Sequence, residues 1–116
     1  MAIIRRLRYA DGEPLSVENS CLVHRYVPGI LENDFSKRSL SETLAADYDI
    51  VMTSAEQTIR ARIASPATAE QLGISEDDAV LVIDRVSYSQ RNIPVEFLRI
   101  TYRADRYSLH CELKGN

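Results

Sequence analysis

Three charged side chains near the start of the chain, Arg6, Arg8 and Glu18, are spaced to do chemistry together. Arg6 and Arg8 are two residues apart, so on an extended strand they stand on one face. Two guanidinium groups grip a phosphate or carboxylate through paired hydrogen bonds, and a carboxylate beside them accepts from an amine or hydroxyl. The same trio also reads as a surface cross-strand ion pair, worth only about 0.2–1 kcal/mol. Ser39 is a further candidate. It opens Ser39-Leu40-Ser41-Glu42, the pattern of a helix capping box, and the free backbone N–H groups of a helix N-terminus favour an anion. An ordinary N-cap is the other reading, and both hold if a ligand's anionic group adds to the cap. His24, His110, Cys21 and Cys111 have no metal-ligand spacing and read as structural or exposed. The sequence carries no nucleophile elbow, phosphate-cradling glycine loop or metal motif, so neither a cofactor nor a metal is expected.

These side chains need a hairpin and a helix to position them. Residues 3–9 alternate, with Ile3, Leu7 and Tyr9 on one face and Ile4, Arg6 and Arg8 on the other; residues 15–20 alternate again after Asp11-Gly12. The apolar positions are odd on both arms, which a three-residue loop, Asp11-Gly12-Glu13, satisfies with Gly12 left-handed. That register sets Tyr9 opposite Leu15, Leu7 opposite Val17 and Arg6 opposite Glu18. The odd face is expected to be core, and the other to hold Arg6, Arg8, Ser16, Glu18 and Ser20. After Pro28-Gly29, an irregular stretch runs to Arg38. Leu40, Leu44, Ala45 and Tyr48 then make a short amphipathic helix. Residues 50–64 read as extended. Ser65-Pro66 starts a second helix that Gly73 ends. Strands follow near 79–89, where residues 80–83 are expected to be buried, near 94–104 and near 106–113, and Asp105-Arg106 looks like a paired structural turn.

Composition narrows the class. The 116 residues fit one domain, 45% hydrophobic and 27% charged, as in an ordinary globular protein. The longest apolar run, residues 79–83, is far short of a membrane span, and the first residues do not form a signal peptide. Two cysteines without a CxxC pairing suggest a reducing, cytoplasmic setting with no stable disulfide. With a net charge of −3 and no helix-turn-helix pattern, the chain alone is not expected to hold DNA. A weak internal repeat pairs Arg6-Leu7-x-Tyr9 and Pro14 with Arg85-Val86-x-Tyr88 and Pro94. The second copy follows a capped helix and the first follows nothing, so either the parent protein continues upstream, which is the expectation, or the first copy is a degraded ancestral one.

Several segments in order resemble the UTRA domain, the effector-binding domain of HutC-subfamily GntR regulators. They are Arg6-Leu7-Arg8-Tyr9-Ala10-Asp11-Gly12-Glu13-Pro14 leading to Glu18, Pro28-Gly29-Ile30, Ser39-Leu40, Ala69-x-x-Leu72-Gly73-Ile74, Arg85-Val86, Pro94-Val95-Glu96 and residues 102–107, Tyr-Arg-Ala-Asp-Arg-Tyr. The resemblance implies an α+β fold, an antiparallel β-sheet with a few short helices of the chorismate-lyase-like kind. It implies that residues 1–116 form a UTRA ligand-binding domain without the family's first helix and part of its first strand. It further implies a homodimer, and an upstream winged helix-turn-helix domain through which operator DNA is bound. In the family, positions matching Arg6, Arg8, Glu18, Ser39, Glu96 and Tyr102 reach the effector. Glu96 and Tyr102 share strand parity, but six residues of strand span about 20 Å, so one small ligand meets both only across a bulge or bend. Otherwise Tyr102 is core packing and Glu96 a solvated strand end. The family often has tyrosine two positions after the serine matching Ser39, where this chain has Ser41.

The reading that follows is a non-catalytic sensor of a small anionic or polar effector: a phosphosugar, an amino acid or a related metabolite. No membrane partner is expected. Two alternatives belong to other classes: a lyase-like enzyme on the same fold acting on a carboxylated substrate, and a pure dimerisation module.

Overall fold

The computed structural model of the chain describes residues 1–108, 110 and 112–115. Among the described residues, five strands form one antiparallel sheet: β1 (Ala2–Ala10), β2 (Glu13–Leu22), β3 (Met52–Ile63), β4 (Ala79–Ser89) and β5 (Pro94–Arg103), in the order β1-β2-β5-β4-β3. Two α-helices, α1 (Leu40–Tyr48) and α2 (Pro66–Leu72), pack on opposite faces of that sheet. Short 3-10 turns occupy His24–Tyr26, Ile30–Glu32 and Ala104–Arg106.

The local signals explain the element ends. Ser39 caps α1, its hydroxyl accepting from the Glu42 amide at 3.4 Å. Ser65 does the same for α2 with the Thr68 amide at 3.3 Å, and Pro66 fills the first turn. Gly73, at φ +67, closes α2: its amide bonds to Glu70 at 3.3 Å and the next amide, of Ile74, to Ala69 at 3.0 Å. This is the Schellman pattern of a left-handed glycine just past a helix.

Arg6 faces Glu18 and Leu7 faces Val17, as the alternation predicts. The turn differs. Asp11 and Gly12 both have positive φ, +52 and +80, so the loop is a two-residue type I′ turn pairing Ala10 with Glu13 and Tyr9 with Pro14. The extra residue, Leu15, is accommodated as a β-bulge, which restores the register of the charged trio. A second bulge leaves Val95 unpaired between Pro94 and Glu96, so Val95 and Glu96 are both buried although adjacent in sequence.

The assignment of core face is overturned. Ile3, Leu7 and Tyr9 are exposed, whereas Ala2, Ile4, Ser16, Ser20 and Leu22 on the even face are buried. Alternation separates two faces without saying which one the chain returns to cover. Here the segment from Tyr26 to Ile50 folds over the even face and sets Val27, Ile30, Leu40, Leu44 and Ile50 against Ala2, Ile4 and Leu22. Among the described residues, the other face receives only α2, which packs Ala69 and Leu72 on Val80 and Val82, with Val17 alongside. In α1, Thr43 is buried and Ala45 exposed, so the inward stripe runs Leu40, Thr43, Leu44. Within the stretch 50–64 expected to be extended, residues 52–63 form β3, an exposed edge strand that pairs, among the described residues, only with β4. Val80, Val82 and Ile83 are buried as expected, while Leu81 is only partly so.

The strand expected near 106–113 is not formed where the structure describes it. Arg106 ends a 3-10 turn, and Tyr107, Ser108, His110, Glu112 and Leu113 carry no strand; Leu109 and Cys111 lie outside the described residues. The Asp105-Arg106 turn is tied down by charge. Arg103 Nη2 meets Asp105 at 2.8 Å, and Arg106 pairs with Glu13. His24 and His110 are exposed, and Cys21 is a partly buried free thiol. No group of His, Cys, Asp and Glu among the described residues is arranged to hold a metal ion.

Candidate functional site

The even face of the hairpin leads into a cavity of about 420 Å³ between the sheet and the N-terminal end of α1. Its centre is Glu18, whose side chain is 12% exposed and bridges both arginines of β1: Arg6 Nη2 lies 3.2 Å from Oε2 and Arg8 Nε 3.4 Å from Oε1. The geometry follows from register. Glu18 stands directly opposite Arg6, and Arg8 is one pleat further along the same face. Arg6 Nε is buried with no protein partner, a donor left for something else in the cavity. Arg8, by contrast, is half exposed and stands at the rim.

Ser39 brings α1 to the same cavity. Its hydroxyl and carbonyl are already used, on the Glu42 amide and on the Thr43 hydroxyl at 2.9 Å. The amides of Leu40 and Ser41, in the first turn, have no intrahelical acceptor and point out of the helix end. Glu96 enters from β5 because of the Val95 bulge, and buried Ser20 donates to its Oε2 at 2.5 Å. Glu96 is therefore a fixed acceptor in the wall rather than a solvated strand end.

The structure thus brings Arg6, Arg8, Glu18, Ser39 and Glu96 to one cavity and leaves Tyr102 outside its lining. Tyr102 shares their face but lies further along β5, opposite Ser16 and Leu81. It stacks on Tyr107, with ring centroids 4.2 Å apart and planes 21° from parallel. Burial, and then the negative potential of Tyr107 and Glu18, pushes its phenol pKa up, so it stays a neutral hydroxyl.

Two further arginines line the cavity that the residue spacing did not single out, Arg85 from β4 and Arg38 from the residue just before the cap. Arg85 Nε donates to Gln57 at 3.0 Å, and Arg38 Nη1 to Asn33 at 2.8 Å and Asp47 at 3.1 Å. Strand parity held a usable signal for Arg85: it pairs with Leu98, two residues from Glu96. For Arg38 only its position before Ser39 hinted at it. Among the described residues the lining carries four guanidinium groups against two carboxylates, an excess of two positive charges. Leu40, Leu98, Ile100, Met52 and Phe35 supply the apolar part. Such a site can hold an anion in arginine forks while Glu18 and Glu96 accept from hydroxyls or amines on the same molecule.

Residues 1–108 match the UTRA domain family. The chain belongs to that family. Among relatives, this UTRA domain is 29% identical over 105 residues to the HTH-type transcriptional repressor NagR of Bacillus subtilis (strain 168), covering 90% of this chain. It spans 43% of NagR's length. Among solved structures, the effector domain of PhnF from Mycobacterium smegmatis superposes with a TM-score of 0.91 at 25% identity, covering 97% of this chain and 69% of that one. A GntR-family transcriptional regulator from Enterococcus faecalis V583 gives 0.86 at 30% identity, covering 96% and 79%. The fold is that of the effector domains of GntR-type transcriptional regulators, and the similar proteins are named as regulators rather than enzymes. No helix among the described residues is long and apolar enough to cross a membrane.

Proposed function

We propose that this UTRA domain is the effector-sensing and dimerisation module of a HutC-subfamily GntR regulator acting in the cytoplasm, without catalytic activity of its own. The observation that carries this reading is the convergence of Arg6, Arg8, Arg38 and Arg85 with the N-terminus of α1 on one cavity, where Arg6 Nε has no protein partner. The effector is a small anion with neighbouring hydroxyl or amine groups, such as a phosphosugar or an amino acid. Its anionic group binds Arg6, Arg8 and the α1 amides, and its polar groups meet Glu18 and Glu96. Tyr102 supports that floor from outside the lining. Ser41 faces the same space, so the position where the family often has tyrosine stays open to a ligand with more polar bulk.

Operator DNA is bound by another part of such a regulator; this chain spans less than half of NagR. Effector binding changes DNA binding only to the extent that it favours one of two dimer arrangements. The exposed Ile3, Leu7 and Tyr9 and the free edge of β3 support pairing with a second copy, because apolar faces and strand edges are normally covered. Calorimetry with inorganic phosphate, a hexose phosphate and glutamate tests the cavity. Saturable heat that disappears in Arg6→Ala is the expected result, and heat unchanged by that substitution would refute the site. Recovery of the probe chemically unaltered after long incubation separates sensing from lyase-like turnover.

A further inference from the structure

At the other end of α1 lies a separate cavity, of about 180 Å³, that shares no lining residue with the arginine cavity. Its walls are the rings of Tyr26 and Tyr48 and the side chains of Ile50, Ile93 and Val95. Tyr48 donates to the Pro28 carbonyl at 2.7 Å; Tyr26 accepts from Arg25 at 3.0 Å and keeps its own O–H to donate. The aromatic ring is the larger, apolar part of both side chains. Buried Ser89 accepts through its hydroxyl oxygen from the amides of Arg91 and Ile93, at 3.1 and 3.4 Å. Among the described residues that line the space, Arg91 is the one charged group.

Arg91 is held by Asp49, the left-handed residue that closes α1. Nη2 meets the Asp49 carboxylate at 2.7 Å and Nη1 its carbonyl at 3.1 Å. A guanidinium has five N–H donors, so this grip leaves donors over. The Asp49 side chain is 81% exposed, and an ion pair so open to water is weak and readily shared. The volume also fits a definite size of ligand, since an apolar cavity of about 150 Å³ accepts benzene.

We propose that this cleft is a second ligand site, specific for a small aromatic monocarboxylate whose ring lies against Tyr26 and Tyr48 and whose carboxylate takes the remaining N–H groups of Arg91.

The test is an NMR titration of the isotopically labelled chain with benzoate. Expected are saturable shifts at Tyr48, Ile93 and Val95, affinity at least tenfold lower for benzyl alcohol, and a tenfold or greater loss in Arg91→Met. Ile93→Trp, substituted at the half-exposed rim, fills the cleft and abolishes the shifts; it decides the matter if Arg91→Met proves unfolded in melting curves. Absence of shifts, shifts confined to Arg6, Arg8 and Arg85, or benzoate affinity retained in folded Arg91→Met would overturn the proposal.

Discussion

Glu18 ties two arginines at once, yet neither ion pair is short and Arg6 keeps an unpartnered buried donor. An arrangement built only for stability would satisfy that donor; one built for a ligand leaves it waiting. The two roles separate experimentally at Arg8, which is half exposed. Charge-assisted hydrogen bonds contribute about 1.5–3 kcal/mol each, so Arg8→Ala is expected to weaken binding of a phosphorylated probe roughly ten- to a hundredfold, with the melting temperature nearly unchanged. Calorimetry paired with melting curves checks both halves. Asp84, on the opposite face, is the structural counterpart: it pairs with Arg99 at 2.7 Å and with Arg60. The Arg99 hydrogen bond, with help from Arg60 and against the cost of burial, holds its carboxyl below the usual carboxylate range. A depressed folded pKa contributes stability that is complete above the unfolded value, about 3.9, and is lost as pH falls through the folded one. Asp84→Asn should therefore lower stability at neutral pH and flatten its decline below about pH 4, as acid melting curves would show.

At the level of elements, the caps are the most sharply defined features. Ser39→Ala removes the acceptor for the Glu42 amide and is expected to destabilise the fold by about 1 kcal/mol. It should also weaken anion binding, because the first turn of α1 frays. Gly12→Ala has no steric clash to meet but forces a side chain to φ +80, at a cost of about 1–2 kcal/mol, measurable by urea denaturation. Both helices and the strands at 79–89 and 94–104 were legible because cap residues, proline and glycine act locally. The pairing of Arg6 with Glu18 was legible too, since parity survives an error in loop length that a bulge compensates. Three things were not legible. The Leu15 and Val95 bulges depend on how the sheet twists against its neighbours, and the Val95 bulge is what delivers Glu96 to the cavity. The buried face depends on where the segment from Tyr26 to Ile50 returns. Arg38 and Arg85 reach the site through tertiary placement that their local spacing does not encode.

On the scale of the whole molecule, one face carries a polar, cationic cavity while the other leaves Ile3, Leu7 and Tyr9 in water. Net charge is −3, and surface arginines such as Arg60, Arg99 and Arg106 are paired with Asp84 and Glu13, so phosphate backbones meet little net attraction. The 116-residue chain is accordingly expected not to bind duplex DNA selectively at physiological salt, and sequence-selective gel shifts would contradict this. Sedimentation equilibrium should give a concentration-dependent dimer; a strict monomer in a full-length regulator bearing this domain would remove dimerisation from the account. We propose, more narrowly, that a small anion binds in the arginine cavity at the start of α1. The most direct test is an NMR titration with inorganic phosphate, which needs no knowledge of the natural effector. Saturable shifts of the Leu40 and Ser41 amides and of the Arg6, Arg8 and Arg85 side chains are expected, all abolished together in Arg6→Ala. Shifts that survive that substitution, or that map elsewhere on the domain, would contradict the proposal.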